Sequence, residues 1–526
     1  MPHPPVHLDE LITRAAADRP AHEAIRDLSG ADPISLTWAD VDAAVSAEAA
    51  RLRTAGVSPG DRVAVSLPDG AAFCVALLGA VRADAAVVPV GPRSVPRELD
   101  AVLGQASPSV VVADADDRAA ADAAAAVGAT LLAPPDPSAV PPAAPAGAAA
   151  ADPESADPEA IALIVFTSGT TGRPRGVCLS HRALLANRDQ AAALRPAPVT
   201  AVDRVLLALP LFHVYGLAAG LLQVCRAAAT VVLTGRFDPG RTLDAVARER
   251  VSVIAGVPSM FRMLLDTGDG DDLRAALAGV RLCTSGGAPL PSGWLAAFRS
   301  ATGLELHEGY GLSEAGPVVT TNDLGRPAKP GSVGRPLPGV ELRLVDADGR
   351  PLATADDAAP EPEGAGDDLF DGSDPSGDTG LIALRGPNLF SGYWPDLDGG
   401  PDADGWFRTA DVGYLDADGD LHLVDRSSDL VIVNGFNVYP REVEQVIAEL
   451  DGVAEVAVVG IPDDRTGAAV KAVVVAGDGD GSTEEQVREH CAARLARFKR
   501  PTVVSFADEL PRTPTGKIAR RALARA

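Results

Sequence analysis

Short apolar runs alternate with helix-compatible stretches between residues 160 and 345. Each run is predicted to be a strand that precedes a helix: ALIVF (162–166), VLLALP (205–210), TVVLTG (230–235), VSVIAGVP (251–258) and RLCTSGG (281–287). Strands that alternate with helices indicate an α/β core. The fold class predicted for the large, N-terminal part of the chain is therefore α/β.

The pattern changes after about residue 426. The remaining segments are short and closely spaced: DLVIVNGFNVYP (429–440), a helix REVEQVIAEL (441–450), strands VAEVAVVG (453–460) and AAVKAVVVAG (468–477), and a helix over 483–496. A stretch of about 100 residues lies within the usual size range of a domain. The sequence thus predicts an N-terminal domain over 1–426 and a small α+β domain over 427–526.

Two segments have low complexity. Residues 115–160 are almost entirely Ala, Pro, Asp and Gly, and they predict a surface connection with one Ala-rich helix near 118–127. The insertion at about 352–378 is acidic, and after Leu352 its large apolar residues are Leu369 and Phe370. Such a composition cannot bury enough apolar surface to fold, so the insertion is expected to be disordered.

Composition limits the possible partners. The chain has 526 residues, 46% of them hydrophobic, and a formal net charge of −26 from 72 acidic and 46 basic residues. This length predicts at least two domains. The excess of negative charge argues against nucleic acid or an anionic membrane as a bulk partner.

The sequence predicts a cytoplasmic protein without integral membrane association. Its five cysteines are scattered without C-x-x-C spacing, which argues against a disulfide framework or a zinc site. The N-terminus lacks the apolar core of a signal peptide. The longest apolar stretch, 205–234, is interrupted by polar residues and is expected to be buried helix and strand.

The loop after ALIVF combines small hydroxyl residues with glycines. Its sequence TSGTTGRPRG (167–176) offers backbone N–H groups, hydroxyls, and the charges of Arg173 and Arg175. Such a loop suits phosphate. The spacing of a P-loop NTPase is absent, and a flexible surface loop is the interpretation that this motif alone leaves open.

Five further motifs follow in order: SGGAPL (285–290), HEGYGLSE (307–314), GWFRTADVGYLDADGDLHLVDR (405–426), NGFNVYPREVE (434–444) and PRTPTGKIARR (511–521). With the loop, they resemble the adenylate-forming superfamily, closest to the acyl-CoA synthetases and especially the fatty-acid CoA ligases. The resemblance covers nearly the whole chain. It implies a large multi-subdomain adenylating domain and a small mobile C-terminal domain.

The resemblance also implies a two-step reaction with ATP, Mg²⁺ and coenzyme A. A carboxylate displaces pyrophosphate from ATP to give acyl-AMP, and the thiol of coenzyme A then displaces AMP. A small-molecule acid and coenzyme A are the expected partners, and a carrier protein could replace coenzyme A as acceptor. Oligomeric state is left open.

By the same resemblance, the ATP-binding residues are those that match the family's motifs. The phosphate loop contributes Thr167, Ser168, Gly169, Thr170, Thr171, Gly172 and Arg175, where the family usually has Lys in place of Arg175. The adenine and ribose sites contribute Gly287, Ala288, Gly309, Tyr310, Gly311, Ser313, Asp411 and Arg426. Glu314 and Thr170 are the expected magnesium ligands and are assigned to catalysis.

Composition independently singles out Lys517. The chain has four lysines against 42 arginines, so a lysine where a cation is needed is informative. A compact ammonium on a flexible stem can enter a closed site that a planar guanidinium cannot. Lys517, in PTGK, resembles the family's mobile catalytic lysine, which neutralises charge during attack on the α-phosphate.

The acyl pocket, the thiol tunnel and the hinge are also assigned by resemblance. His213 is placed in substrate binding, together with Val214, Gly216, Gly286 and Gly311. Gly435 and Phe436 are expected to bind coenzyme A. Ser428 stands at the hinge, where Asp or Lys is usual. Ser180 and His181 are not expected to form a hydrolase pair, because no G-x-S-x-G motif is present.

Several hypotheses about the function remain open. An aliphatic acid of medium or long chain is favoured by the small and apolar residues around His213. Malonate is a second substrate hypothesis; it needs a buried cation, for which Arg226, Arg236 and Arg262 are candidates. A fatty acyl-AMP ligase and a catalytically inactive nucleotide sensor are two further hypotheses.

Overall fold

The structure is a computed structural model. It describes residues 5–92, 94–139, 157–168, 174–267, 270–352, 379–426, 431–433, 436–463, 467–477, 482–495, 497–512 and 518–525. The chain divides into two compact units: the first comprises Met1–Pro330, Gly334–Glu341 and Arg385–Phe407, and the second Gly331–Val333, Leu342–Leu384 and Arg408–Ala526. The predicted boundary between 426 and 427 borders residues outside this description and stays a prediction, as does disorder of the acidic insertion.

The strands alternate with helices through most of the first unit. In chain order the strands are β1 (Glu23–Asp27), β2 (Ile34–Thr37), β3 (Arg62–Ser66), β4 (Ala86–Pro89), β5 (Val110–Ala113), β6 (Thr130–Leu132), β7 (Ile161–Ser168), β8 (Pro174–Ser180), β9 (Arg204–Leu207), β10 (Thr230–Leu233), β11 (Val253–Gly256), β12 (Leu282–Ser285), β13 (Leu306–Gly311), β14 (Val318–Thr321), β15 (Arg335–Pro336), β16 (Glu341–Val345), β17 (Gly380–Arg385), β18 (Gly392–Tyr393), β19 (Trp406–Leu415), β20 (Leu421–Arg426), β21 (Val431–Val433), β22 (Phe436–Val438), β23 (Val453–Asp463), β24 (Gly467–Ala476) and β25 (Val503–Ala507).

The α-helices are α1 (Glu10–Asp18), α2 (Trp38–Thr54), α3 (Ala71–Arg82), α4 (Pro96–Ala106), α5 (Arg118–Ala126), α6 (His181–Ala192), α7 (Gln223–Ala227), α8 (Pro239–Arg248), α9 (Pro258–Leu265), α10 (Gly270–Ala276), α11 (Ser292–Thr302), α12 (Pro440–Ala448), α13 (Glu484–Arg494) and α14 (Arg520–Arg525). A π-helix spans Tyr215–Leu222, and short 3₁₀ turns span Ser313–Ala315 and Arg497–Lys499.

A nine-stranded sheet forms one layer of the first unit. Its spatial order is β15, β14, β13, β12, β11, β9, β10, β1, β2. The run from β13 to β1 is parallel, and β10 and β11 are buried at every position, as parallel strands covered on both faces should be. The chain leaves β9 toward β10 on one side and returns to β11 on the other. The carboxyl ends of β9 and β11 therefore flank a topological switch point, where ligands bind in open α/β sheets.

A seven-stranded sheet forms a second layer, in the order β18, β8, β7, β4, β3, β5, β6. The prediction that ALIVF precedes a helix was wrong, because β7 turns back into the antiparallel strand β8 before α6 begins. The predicted helix near 118–127 is confirmed as α5. The same low-complexity connection also contains β6, a strand that the sequence did not predict.

One hydrophobic core joins these two sheets. Side chains from α1, α2, α3 and α6 pack in a single cluster with residues of β3, β7 and β9. Helix α3 is buried over almost its whole length, in keeping with its apolar sequence AAFCVALLGAVR. The buried helix predicted after β9 is present, and it begins as the π-helix. Short π segments inside helices are often found at functional sites.

The second unit contains most of a four-stranded sheet (β16, β17, β19, β20), the pair β21 and β22, and a three-stranded sheet (β23, β24, β25). Helices α12 and α13 pack on the last sheet through Val443, Ile447, Val487 and Cys491. The predicted strands and helices between 441 and 496 are confirmed, with small shifts at their ends. No helix in the described part of the chain has both the length and the hydrophobicity that a bilayer crossing needs.

Candidate active site

The predicted phosphate loop connects the two arms of a β-hairpin, β7 and β8. Thr167 on β7 faces Arg175 on β8, and the last pair before the turn is Ser168 with Pro174. The side chain of Ser168 and residues Gly169, Thr170, Thr171 and Gly172 lie outside the described residues. The hairpin nevertheless fixes both ends of the loop, so Thr167 and Arg175 flank it from opposite arms.

Glu314 lies in the 3₁₀ turn that follows β13. Its carbonyl oxygen accepts a hydrogen bond from the N–H of Phe390 at 2.9 Å. The side-chain amide of Asn388 donates to the carbonyl of Ala315 at 2.8 Å, and Ser313 is buried in the same turn. The segment before β18 therefore holds this turn by two hydrogen bonds.

Tyr393 connects Glu314 with the hairpin. Strand β18 pairs with β8, with Tyr393 opposite Val177. The hydroxyl of Tyr393 donates to Glu314 Oε1 at 2.8 Å, and the guanidinium of Arg175 lies 3.5 Å from the centre of the Tyr393 ring. Burial and the neighbouring Glu314 raise the pKa of Tyr393, so its hydroxyl stays protonated and able to donate.

The two glycine-containing motifs follow neighbouring parallel strands. Gly286 and Gly287 follow β12, and Gly309–Gly311 closes β13. A Cβ at Gly309 would lie 2.9 Å from the carbonyl oxygen of Thr320, and one at Gly311 would lie 2.1 Å from that of Pro317. Gly287 has φ +79°, in the left-handed region that favours glycine. Both positions on β13 therefore require glycine for close approach to β14.

Tyr310 and Ala288 lie within these motifs. Tyr310 is 7% exposed and pairs with Thr320 across β13 and β14, so most of its surface is already covered by protein. Ala288 is half-buried, and Leu290 donates its N–H to the buried carboxylate of Glu308 at 3.1 Å. The role of Tyr310 against adenine stays a prediction.

The predicted acyl pocket lies at the switch point. The segment LPLFHVYG leaves β9, and the N–H of Tyr215 donates to His213 Nδ1 at 3.2 Å. A Cβ at Gly216 would lie 2.4 Å from the Pro210 carbonyl oxygen, which explains a glycine there. Val214 is fully buried.

Tyr215 connects this segment with the end of β12. Its ring lies close to Gly286, where an added Cβ would be 3.2 Å from Cζ. A hydrogen bond joins Tyr215 to Thr284, while burial raises the pKa of the phenol to about 12. His213, Val214, Gly216 and Gly286 thus lie around one partly buried tyrosine.

Asp69 supports the same segment from the start of α3. It precedes this helix, and its Oδ1 accepts from the N–H of Leu211 at 2.7 Å. Burial raises the pKa of this carboxyl to about 6, although the hydrogen bond from Leu211 opposes the shift. The carboxylate therefore holds the chain two residues before His213.

Asp411 and Arg426 belong to the second unit. They face each other across β19 and β20, as a shared role would require. The N–H of Asp411 donates to Thr409 Oγ1 at 3.1 Å, and the side chain of Arg426 is not described. Ser428, Gly435, Lys517 and the side chain of Phe436 lie outside the described residues, so their assignments stay predictions.

Ser180 and His181 do not form a catalytic pair. Ser180 Oγ accepts from the N–H of Ala183 and caps α6, while His181 Nδ1 accepts from the N–H of Leu8. Burial lowers the pKa of His181 to about 3. Both side chains are therefore engaged elsewhere, and the prediction that they form no hydrolase pair is confirmed.

Comparison with known proteins identifies the family. A model described as AMP-binding enzyme matches residues 12–394, and one described as AMP-binding enzyme C-terminal domain matches residues 442–517. The chain is an adenylate-forming enzyme. The fold, with a large N-terminal AMP-binding domain and a small C-terminal domain, is confirmed with it.

Individual relatives narrow the class of reaction. A feruloyl-CoA synthase from an Amycolatopsis species is 35% identical over 92% of both chains. The long-chain-fatty-acid–CoA ligase FadD13 of Mycobacterium tuberculosis is 31% identical over 93% of both. ATP-bound MatB from Rhodopseudomonas palustris superposes with a TM-score of 0.85 at 33% identity, covering 98% of both. This adenylate-forming enzyme is an acid–CoA ligase of the AMP-forming type.

Sequence reasoning missed three residues of this site: Tyr393, Tyr215 and Asp69. Tyr393 stands in SGYWP, between the acidic insertion and the motif GWFRTAD, and the chain has only five tyrosines. That rarity was a usable signal. The same signal was available for Tyr215, which is another of the five tyrosines. Asp69 carried none, because its contact depends on a segment distant in the sequence.

Proposed function

We propose that this ligase uses magnesium-bound ATP to adenylate a carboxylic acid and then transfers the acyl group to coenzyme A. The observation that carries the proposal is that Tyr393 joins Glu314 to Arg175, which pairs with Thr167 beside the hairpin loop. A hydroxyl, a cation and a carboxylate in this arrangement suit a triphosphate with its metal ion. A carboxylate beside phosphates is otherwise repulsive.

The chemistry of Glu314 fits a hard cation. Its Oε1 accepts from Tyr393, and within the described ranges no hydrogen bond reaches its Oε2. Mg²⁺ prefers oxygen ligands and is usually held by one or two carboxylates together with substrate phosphates. Glu314 would hold the ion with the hydroxyl of Thr170, and the bound ion would offset phosphate charge.

In the first step, an oxygen of the substrate carboxylate attacks the α-phosphorus of ATP. The bond from that phosphorus to the bridging oxygen breaks, and pyrophosphate leaves. Lys517 would offset the charge that gathers on the phosphate oxygens. The other nucleotide contacts would come from the phosphate loop, the Gly287–Ala288 backbone, Tyr310 and the ribose-binding Asp411.

In the second step, the thiol sulfur of coenzyme A attacks the acyl carbon, loses its proton, and displaces AMP. Gly435 and Phe436 would line the approach of the thiol. Rotation of the small domain about Ser428 would move Lys517 out of the active site and bring Gly435 and Phe436 to it. A carrier protein in place of coenzyme A is the second acceptor hypothesis.

We propose an acid with an apolar tail as the substrate. The groups around Tyr215 are buried and apolar, with Val214 and Leu217 on the same segment. Arg226 and Arg262 pair with Asp189 and Asp266 in partly exposed ion pairs. Arg236 is also exposed, so none of the three offers a buried cation for a second carboxylate.

Malonate is the second candidate, favoured by Arg188. This arginine is 1% exposed, donates to Gln223 Oε1 at 3.2 Å and to the Gly316 carbonyl at 3.4 Å, and burial lowers its pKa to about 9. Among the described residues its Nε has no hydrogen-bond partner and no carboxylate forms an ion pair with it. A buried cation of this kind could receive the distal carboxylate of a diacid.

The test is a pyrophosphate-release assay over malonate, ferulate, octanoate and palmitate, with and without coenzyme A. Thioester and acyl-AMP are identified by mass spectrometry. Acyl-CoA formed from octanoate or palmitate supports the main proposal. Preference for malonate that is lost in Arg188→Leu establishes the second candidate, and acyl-AMP without thioester would point to a carrier protein as acceptor. Absence of pyrophosphate with every acid would overturn the proposal.

A further inference from the structure

We propose that Tyr393 is a positioning residue that holds the magnesium carboxylate and the phosphate-loop arginine in place before ATP binds. The inference rests on the proposed function, because it takes Glu314 as the metal ligand and Arg175 as a phosphate contact. Tyr393 itself would touch neither the metal nor the nucleotide. Its hydroxyl contacts Glu314 and its ring contacts Arg175, and it acts through these two side chains.

The first contact fixes the Glu314 carboxylate. The backbone of Glu314 is held by Phe390, and the 2.8 Å hydrogen bond from Tyr393 then fixes Oε1. A free glutamate side chain loses rotamer entropy when it is ordered. Because the hydroxyl donates to one oxygen, the other stays available, and part of that ordering precedes metal binding.

The second contact fixes the Arg175 guanidinium. It lies 3.5 Å from the ring centre, close enough for a cation–π interaction. Gly399 leaves room for this stack, since a Cβ there would lie 3.2 Å from Tyr393 Cδ2 and 3.6 Å from Arg175 Nη2. A planar guanidinium can stack on a ring in a way that an ammonium cannot, which accounts for arginine where the family usually has lysine.

The tyrosine is itself held rigidly. Its N–H donates to the Asp398 carbonyl at 2.9 Å, and its carbonyl accepts from the N–H of Leu397 at 2.8 Å. Phe390 packs edge-on against its ring, with centroids 5.0 Å apart, and Phe407 packs in the same way against Phe390. Tyr393 is therefore a fixed point from which both functional side chains are oriented.

Tyr393→Phe separates the hydrogen bond from the stack, because it removes the hydroxyl and keeps the ring. The probe is α,β-methylene-ATP, which cannot undergo adenylation, and its binding is measured by calorimetry with EDTA and with increasing Mg²⁺. Loss of a group that orients a metal ligand typically weakens metal affinity about 10-fold or more. We expect the Mg²⁺ concentration that gives half of the maximal gain in affinity for α,β-methylene-ATP to rise about 10-fold. The affinity for α,β-methylene-ATP in EDTA should be unchanged.

Arg175→Lys provides the complementary change. It keeps the charge and loses the stack, so nucleotide binding should weaken in EDTA as well as in Mg²⁺. Tyr414→Phe is the matched control, since Tyr414 stacks on His422 on β20 in the second unit. It should change neither titration. Thermal unfolding of each variant verifies that the fold is retained.

Glu314→Gln distinguishes failure of this inference from failure of the proposed function. If Glu314→Gln leaves the Mg²⁺ dependence unchanged, the metal assignment is wrong and both fall. If Glu314→Gln weakens it and Tyr393→Phe does not, only the inference on Tyr393 is overturned. Positioning also requires that Tyr393→Phe has no further effect in the Glu314→Gln background; additive losses would assign Tyr393 a merely structural role.

Discussion

At the scale of single residues, Asp69 shows how the site keeps a carboxyl group whose charge is disfavoured by burial. Its pKa is about 6 in the folded protein against a usual 3.8, mainly because burial disfavours the charged form. Between about pH 4 and 6 the unfolded chain has lost this proton while the folded protein keeps it. Wild-type stability therefore falls as pH rises through this window and is not regained above it.

Asp69→Asn should remove that pH dependence, because the amide oxygen can still accept from Leu211 without carrying charge. We expect the variant to be more stable than wild type above pH 7, by up to about 3 kcal/mol, and nearly equal to it below pH 4. Urea unfolding across this range measures the difference. If the free energies of unfolding of wild type and variant differ by the same amount at every pH from 4 to 8, burial does not raise the pKa of Asp69.

Two glycines give opposite predictions at the same scale. Gly311→Ala places a Cβ 2.1 Å from the Pro317 carbonyl, so β13 and β14 must separate, and we expect a loss of about 2 kcal/mol or more. Gly293→Ala is the control within helix α11, where a Cβ meets nothing within 4 Å. It should stabilise the protein by about 0.5 to 1 kcal/mol. Denaturant midpoints of the two variants on the same side of wild type would contradict this account.

At the scale of elements, the hydrophobic pattern predicted those strands correctly that are buried on both faces. The runs at β9, β10, β11 and β12 were recognised because strands covered on both faces are continuously apolar. The return strand β8 was missed because its PRG start has no alternation, and its pairing with β7 and β18 depends on distant residues. The π-helix was missed for a related reason: its register follows close packing of Gly216 and Gly220 on Pro210 and Leu207, which no local spacing records.

The acidic insertion is bounded by two residues that lie side by side. A Cβ at Gly380 would be 2.6 Å from Leu352 Cδ1, so the chain returns to the place it left. Deleting 356–374 leaves the eight residues 353–355 and 375–379, long enough for a loop between adjacent strands. We expect pyrophosphate release and the melting temperature to remain close to wild type. Loss of folded protein would show that the insertion is structural.

At the scale of the whole molecule, the sequence motifs predicted the reaction class more fully than they predicted the site. Six motifs in order indicated the family, which the comparisons confirmed. The motifs could not predict the residues that hold them in place, such as Tyr393, which hydrogen-bonds Glu314, or Tyr215, which packs against Gly286. Those contacts join segments about 70 to 80 residues apart, and they exist only once the strands that carry these segments have assembled into sheets.

The proposed use of two different surfaces of the small domain in the two steps gives the last prediction. In the proposed mechanism Lys517 offsets charge only while the α-phosphate is attacked, so Lys517→Ala should lower acyl-AMP formation about 10² to 10³-fold. Thioester formation from supplied acyl-AMP should survive, since the lysine would by then have left the site. Gly435→Leu should do the reverse, because a side chain there would obstruct the approach of the thiol.

Each variant is assayed for pyrophosphate release and, separately, for conversion of synthetic acyl-AMP and coenzyme A to thioester. Lys499→Ala is the control for loss of a lysine from the same domain, since Lys499 forms an ion pair with Glu442 at 2.7 Å. It should lower neither rate beyond a small effect on stability. Equal losses in both assays for Lys517→Ala and for Gly435→Leu would mean that the changes destabilise the domain as a whole, and the two-surface mechanism would then be wrong.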